Sequence, residues 1–269
     1  MPRWFSAWLE GLAPWQHFLL FCSLFIAVTW LGILLVHPFL RRLLHGENPS
    51  NETIMHFASN FGVFYAVLLG LLTIMTFEAS KKLVDNIGRE TASLSALYHT
   101  ADGYPNPLRS SLKAKLRDYT RYIIDKDWPA HRKGRVPMGG EHRLNAFRQA
   151  LLAFEPKTPT QEILQREMLS HLDTMTMARE LRLLGVAESI PGVLWLIVLL
   201  GALLTIGFVW MLHMSPVAQF VLGGAAAFFL GMLIFLIYAM DHPLKGAVGL
   251  APHAYESLYD LVMRWDERE

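Results

Sequence analysis

The residues of this chain best suited to chemistry are carboxylates at the ends of long apolar runs. Asp241 directly follows the run Val217–Met240 and opens the stretch Asp241-His242-Pro243-Leu244-Lys245-Gly246. Glu78 follows the run Phe61–Phe77 and precedes Lys81 and Lys82. A carboxylate in such a place can cap a helix or turn, pair with a lysine, or help hold an ion. For Asp241, capping a new helix or turn, or pairing with Lys245, is the simpler expectation. For Glu78 it is an interfacial ion pair. A third polar group, the Asn60 amide, stands among Phe61, Phe64 and Tyr65. An amide and the positive edges of aromatic rings can stabilise a partly dehydrated anion, and an apolar ring can gate by dewetting.

Enzymatic signatures are absent: no phosphate-binding glycine loop, no Gly-x-Ser-x-Gly, no His-Glu-x-x-His and no cysteine cluster. The 11 histidines are scattered, and His37, His45 and His56 have spacings without metal-site logic. We therefore expect no enzyme, no cofactor and no metal. The single cysteine, Cys22, lies in an apolar run, so an intramolecular disulfide is excluded. A net charge of +1 gives no large basic surface for nucleic acid.

Four apolar stretches must position these groups: Phe18–Phe39, Phe61–Phe77, Pro191–Leu212 and Val217–Met240. Three reach the ~20 residues that cross a bilayer, and the second does so when extended to Ala58 and Ala79. None has Lys, Arg, Asp or Glu in its middle. The chain is thus an integral membrane protein with the lipid bilayer as its first partner. The N-terminus lacks the short apolar core and small-residue cleavage site of a signal peptide. We expect a short interfacial helix within residues 1–17, with Trp4, Trp8 and Trp15 at the interface. With four crossings, 22 of the 24 Lys and Arg fall on one side, and only Arg41 and Arg42 on the other. The positive-inside tendency puts both termini and Ser80–Ser189 in the cytoplasm.

The implied organisation is transmembrane helices one and two within 18–79, a cytoplasmic helical domain at 80–189, helices three and four within 190–240, and a cytoplasmic tail at 241–269. The inserted segment reads as helices. Leu83, Ile87, Leu94 and Leu97 extend span two to about Thr100, where Gly103, Pro105 and Pro107 break it. Helices follow at Leu108–Trp128, Glu141–Phe154 and from Thr158 to about Ser189, with a loop at Pro129–Gly140. The last helix has Ile163, Leu164, Leu172 and Leu181 among its apolar positions. A first outside loop is expected at Arg41–Asn60 and a very short second one near His213–Pro216. Small residues align at Gly62, Ala66 and Gly70, and at Gly223, Ala227 and Gly231; such faces let helices pack closely in lipid, within the chain or between subunits. The words YAVLLGLLTI (Tyr65–Ile74) and IVLLGALLTI (Ile197–Ile206) suggest comparable close packing at two junctions.

The stretches YAVLLGLLTIMTFEASKKLVDNIGRETASLSALYHTADGYP, RLLGVAESIPGVLWLIVLLGALLTIGF and IYAMDHPLKGAVGLAPHAYESL resemble a group of bacterial bestrophin-like membrane proteins. The resemblance covers about Asn60 to Leu258. It implies an all-α fold with four transmembrane helices and a helical cytoplasmic bundle inserted between helices two and three. More distantly, it implies a homo-oligomer, pentameric in bestrophins, conducting an inorganic anion through a pore lined by the second helix. By that analogy the neck involves Asn60, Phe61, Phe64, Leu68 and Leu71. Asp241-His242-Pro243-Leu244-x-Gly246 is similar in placement to the turn that precedes the calcium-binding acidic run of bestrophins. Ala247–Ala254 holds no carboxylate, so calcium gating is not expected. The alternative is a non-conducting scaffold or stress-response accessory whose basic cytoplasmic domain, 18 bases against 13 acids, binds a cytoplasmic protein.

Overall fold

The computed structural model describes residues 13–43, 50–187, 189–245 and 249–264. Met1–Leu12 and Gly246 lie outside the described residues, and with them most of the expected interfacial helix. The elements are α1 (Pro14–Leu43), α2 (Asn51–Thr100), α3 (Leu108–Tyr122), a π-helical turn (Ile123–Asp127), α4 (Trp128–Arg132), α5 (Gly139–Leu152), α6 (Pro159–Ala187), α7 (Gly192–Met211), α8 (Pro216–Asp241) and α9 (His253–Leu258). A 3-10 turn follows α2 and a second π turn follows α9. No strand occurs among the described residues. The chain divides into two compact units, Met1–Ala79 with Ser189–Asp241, and Ser80–Glu188 with His242–Glu269.

The first unit contains four helical segments long and apolar enough to cross a membrane, belonging to α1, α2, α7 and α8. Their shared core is Tyr65, Leu69 and Leu72 of α2, Val198, Ala202 and Ile206 of α7, and Leu230, Ile234 and Ile237 of α8. Glycine sets the closest approaches. A Cβ on Gly201 would collide with the Tyr65 ring, and one on Gly32 with the Trp210 indole. The loop expected at Arg41–Asn60 is shorter, because α2 already begins at Asn51 with Ser50 Oγ accepting the Thr53 N–H at 3.2 Å. A serine at that position supplies an acceptor to the unpaired first turn, which favours the early start.

Backbone groups left open at helix ends find side chains, as a medium without water requires. The Asn51 amide donates to His213 O (2.6 Å) and accepts the His213 N–H (2.8 Å). His37 Nδ1 donates to Trp210 O (2.7 Å), and Gln219 Nε2 to Val209 O (3.1 Å). Two further bonds reach carbonyls inside helices: Trp210 Nε1 donates to Thr29 O of α1 (3.0 Å), and the Tyr65 hydroxyl to Val198 O of α7 (2.8 Å).

The second unit is built on the apolar line Leu83, Ile87, Leu94 and Leu97, against which Leu112, Leu116 and Tyr119 of α3, Phe147 and Leu151 of α5, and Met168, Leu172 and Met175 of α6 pack. Two expectations need correction. Pro129 does not open a loop: it stands in the first turn of α4, and the helix runs on to Arg132. Gly134, at φ 66°, then ends it with N–H bonds back to His131 O and, from Arg135, to Ala130 O. On α6 the buried line is Met168, Leu172, Met175, Arg179, Arg182 and Val186, whereas Ile163 and Leu181 are exposed. Two arginines occupy core positions there, which hides the true face from an apolar pattern.

Candidate functional site

On α2 one side is committed to the bundle and the other is open. Tyr65, Leu69, Leu72 and Thr76 are buried along one line. Opposite them, Asn60, Phe64, Val67, Leu71 and Glu78 are all exposed, Phe64 by 77%. Asn60 and Glu78 are five helical turns apart, about 27 Å, on the same face. The stripe is thus polar at both ends and apolar between. Phe61 does not join it: its ring stacks on Tyr65 (centroids 5.8 Å, 17° between planes) and meets Phe208 at 5.8 Å. Leu68 is half-buried against the core. At 100° per residue, Phe61 and Leu68 fall on the flank between the buried and open faces, whereas Asn60, Phe64 and Leu71 lie within about 40° of one line. Chemically, this face offers one amide, an aromatic ring and an aliphatic ring position.

The two small-residue faces differ. Gly223 has Val209 at 3.0 Å and Ile33 at 3.4 Å from where a Cβ would stand, and Gly231 has the Cys22 Cα at 3.2 Å. Ala227 between them is buried, so this face of α8 meets α1 and α7 within the chain. A Cβ on Gly62 or Gly70 would meet nothing within 4 Å, and Ala66 is exposed. The similar words around Gly70 and Gly201 therefore differ in packing: Gly201 is covered by Tyr65, and Gly70 is open.

The two junction carboxylates also part ways. Glu78 is exposed and makes no ion pair among the described residues, correcting the expected interfacial pair; such solvated i, i+3 and i, i+4 partners gain little. Asp241 is buried. Its Oδ1 accepts the Ile190 N–H at 2.6 Å and its Oδ2 the Trp195 Nε1–H at 3.1 Å. No Asp241–Lys245 ion pair forms among the described residues, which corrects that expectation. The carboxylate at the end of α8 serves the start of α7, where unpaired N–H groups and the helix dipole favour a negative charge.

In the second unit a buried polar cluster has no counterpart among the sequence expectations. Arg182 forks onto Glu90, Nε to Oε2 at 2.7 Å and Nη2 to Oε1 at 3.2 Å, with both side chains fully buried. The Tyr119 hydroxyl donates to Glu90 Oε1 at 3.0 Å. Arg182 Nη1 lies 3.3 Å from His131 Nδ1. A guanidinium only donates, so Nδ1 accepts and the imidazole proton sits on Nε2. Burial, then Arg182 and Arg179, press the His131 pKa down to about 3, in keeping with a neutral ring. Tyr119, Ile123, Asp127 and His131 recur every four residues and are all buried. An α-helix would turn the fourth of these about 120° off the line of the first; the wider π turn keeps them in register. Both Asp127 oxygens, His131 Nε2, Arg179 Nε and the Tyr255 hydroxyl are buried without a hydrogen-bond partner. Burial raises the Asp127 pKa to about 6, against the pull of Arg182 and Arg179. No group of three or more metal-binding side chains occurs among the described residues. The readable signal was Glu90, a charge on the same face as Ile87, Leu94 and Leu97.

Residues 23–255 match the profile of the Bestrophin-like domain. No curated protein matches the chain in sequence. A bacterial bestrophin homologue from Klebsiella pneumoniae, solved by zinc phasing, is similar in fold with a TM-score of 0.65 at 13% identity, over 90% of this chain and 97% of that one. A point-mutated bacterial bestrophin homologue from the same organism gives 0.65 at 14% identity, over 91% and 98%. A structure described as a membrane protein gives 0.64 at 13% identity, over 91% and 98%. At these identities the structural likeness is one of fold: four apolar helices with a helical unit inserted between the second and third. The profile match over most of the sequence goes further, and this multi-pass membrane protein belongs to the Bestrophin-like domain family.

Proposed function

We propose that the protein is a homo-oligomeric channel for inorganic anions, a conduit rather than an enzyme, with α2 of each subunit facing the axis. The observation that carries this is the open stripe of α2, in a chain of bestrophin-like fold. Asn60 supplies amide donors at one end, Phe64 an aromatic constriction, and Leu71 an apolar ring farther along. A ring of such groups can replace part of an anion's hydration and gate by dewetting. Phe61 and Leu68 support the wall from behind. The open Gly62, Ala66 and Gly70 flank gives neighbouring copies of α2 a surface for close approach. The channel sits in the bacterial cytoplasmic membrane with both termini inside, and its opening does not depend on calcium.

The test is anion flux in liposomes containing folded oligomer. Phe64→Ala should widen the constriction and raise flux, and Asn60→Leu should lower it. Phe61→Ala should alter flux less than Phe64→Ala. If wild type and Phe64→Ala are both silent across voltage and pH, the channel is refuted and a non-conducting scaffold takes its place.

A further inference from the structure

We propose that Asp127 and Glu141 compete for Arg179 across Gly140, so that loss of a proton from Asp127 to water pulls Arg179 off Glu141 and loosens the first turn of α5. The device goes beyond conduction, and its test does not use flux.

The cations around Asp127 are nearly all committed. Arg182 of α6 holds Glu90 of α2 through two bonds and faces His131 with the third nitrogen. Arg143 of α5 has its Nε 2.9 Å from Asp118, and its guanidinium lies 4.0 Å from the Tyr122 ring centroid. His131, on the same segment as Asp127, is neutral. Tyr119 and Tyr255, the remaining titratable groups of the cluster, are held well above their ordinary range, chiefly by burial. Arg179 Nε and Arg143 Nε are both buried without a hydrogen-bond acceptor, but Arg143 Nε already faces the Asp118 carboxylate, whereas Arg179 Nε faces no carboxylate as an ion-pair partner. Its Nη1 donates to Glu141 Oε2 at 2.8 Å, and Glu141 is 38% exposed.

Gly140 marks the route. A Cβ there would stand 3.0 Å from Asp127 Oδ2 and 3.3 Å from Arg179 Nη2. The two groups thus border one space that the missing side chain leaves open. In the structure they form no ion pair, and both Asp127 oxygens lack partners, an arrangement that costs an ionised carboxyl far more than a neutral one. Once ionised, a buried carboxylate needs a charged donor, and Arg179 is the one with bonds to give. Glu141, already touching solvent, can lose its partner to water at little cost. Lowering the pH returns the proton and sends Arg179 back.

The experiment is amide hydrogen exchange on the full-length protein, corrected for intrinsic rates, at pH about 5 and about 7.5, either side of the Asp127 value of about 6. In wild type, protection of peptides spanning Gly139–Leu144 should fall several-fold at the higher pH. Asp127→Asn should hold the low-pH protection throughout. Gly140→Ala, with its methyl group in the route, should also abolish the response. Equal wild-type protection at both pH values, or a response retained in either variant, overturns the proposal. Should Asp127→Asn not fold, infrared titration of the wild type decides. A protonated-carboxyl band disappearing around pH 6 supports the exchange, and no such band at about pH 5 overturns it.

Discussion

Replacing Asp241 with alanine should lower stability more than any surface substitution. The carboxylate accepts the Ile190 N–H at 2.6 Å and the Trp195 Nε1–H at 3.1 Å, and it is buried. Each bond to a charged acceptor contributes about 1.5–3 kcal/mol, and removing the acceptor leaves two half-buried donors unpaired. A cost of about 3–5 kcal/mol follows, a fall of roughly 6–20 °C in Tm at ~2–4 °C per kcal/mol. Asp241→Asn keeps one oxygen for Ile190 but sets an NH2 against the indole N–H, so about half that loss is expected. Trp195→Phe removes the opposing N–H and should recover part of the Asp241→Asn deficit, giving a coupling of about 1–2 kcal/mol in a double-mutant cycle. The assay is thermal unfolding by far-UV circular dichroism in detergent, with and without calcium or chelator. An unchanged Tm for Asp241→Ala, or zero coupling with Trp195, would refute the capping argument. A Tm that rises with calcium would show that Asp241 binds an ion instead.

Other outcomes follow from the packing and charge. Gly201→Ala should cost about 1–3 kcal/mol by driving a methyl into the Tyr65 ring, whereas Gly70→Ala should leave thermal unfolding of the detergent-solubilised monomer within about 0.5 kcal/mol of wild type; equal shifts in both would contradict the two environments. Asp127, raised from 3.8 to about 6, stabilises the fold most below pH 3.8, and that contribution is lost as pH rises through about 6. Asp127→Asn should therefore flatten the pH profile and exceed wild type by up to about 3 kcal/mol above pH 6, measured as the difference between the two unfolding curves. A reporter inserted at Val136, in the loop between α4 and α5, should signal the cytoplasm, and a signal from the opposite side would overturn the orientation.

The spans were legible because length and apolar content alone define a bilayer crossing. The Leu83, Ile87, Leu94 and Leu97 line and the Leu112, Leu116, Tyr119 line were legible because their periods are those of a helix with one buried face. The buried cluster was not. Glu90, Tyr119, His131, Arg182 and Tyr255 come from five segments, and nothing local in the sequence pairs Glu90 with a residue 92 positions away. Charges on an amphipathic helix look solvated until a partner is known. The same arginines moved the apparent apolar face of α6 onto Ile163 and Leu181, which are exposed. On α2 the aromatic residues Phe61 and Phe64 looked equivalent, and only the Tyr65 and Phe208 contacts separate wall from open face.

The bonds from His37 and Asn51 to the end of α7 have a consequence for biosynthesis. The first two apolar helices emerge from the ribosome long before Trp210 and His213 exist. Asn51 waits for a partner 162 residues downstream. At ~5–20 residues per second that delay is roughly 10–30 s. During it, His37 and Asn51 face lipid or headgroups with their donors unpaired, and the Tyr65 ring lacks the glycine it later covers. The nascent N-terminal hairpin is therefore an unfinished client of the insertion machinery, held open for the second hairpin. Substitutions at these positions should lower yield by exposing that intermediate to proteolysis, even where the completed protein tolerates them.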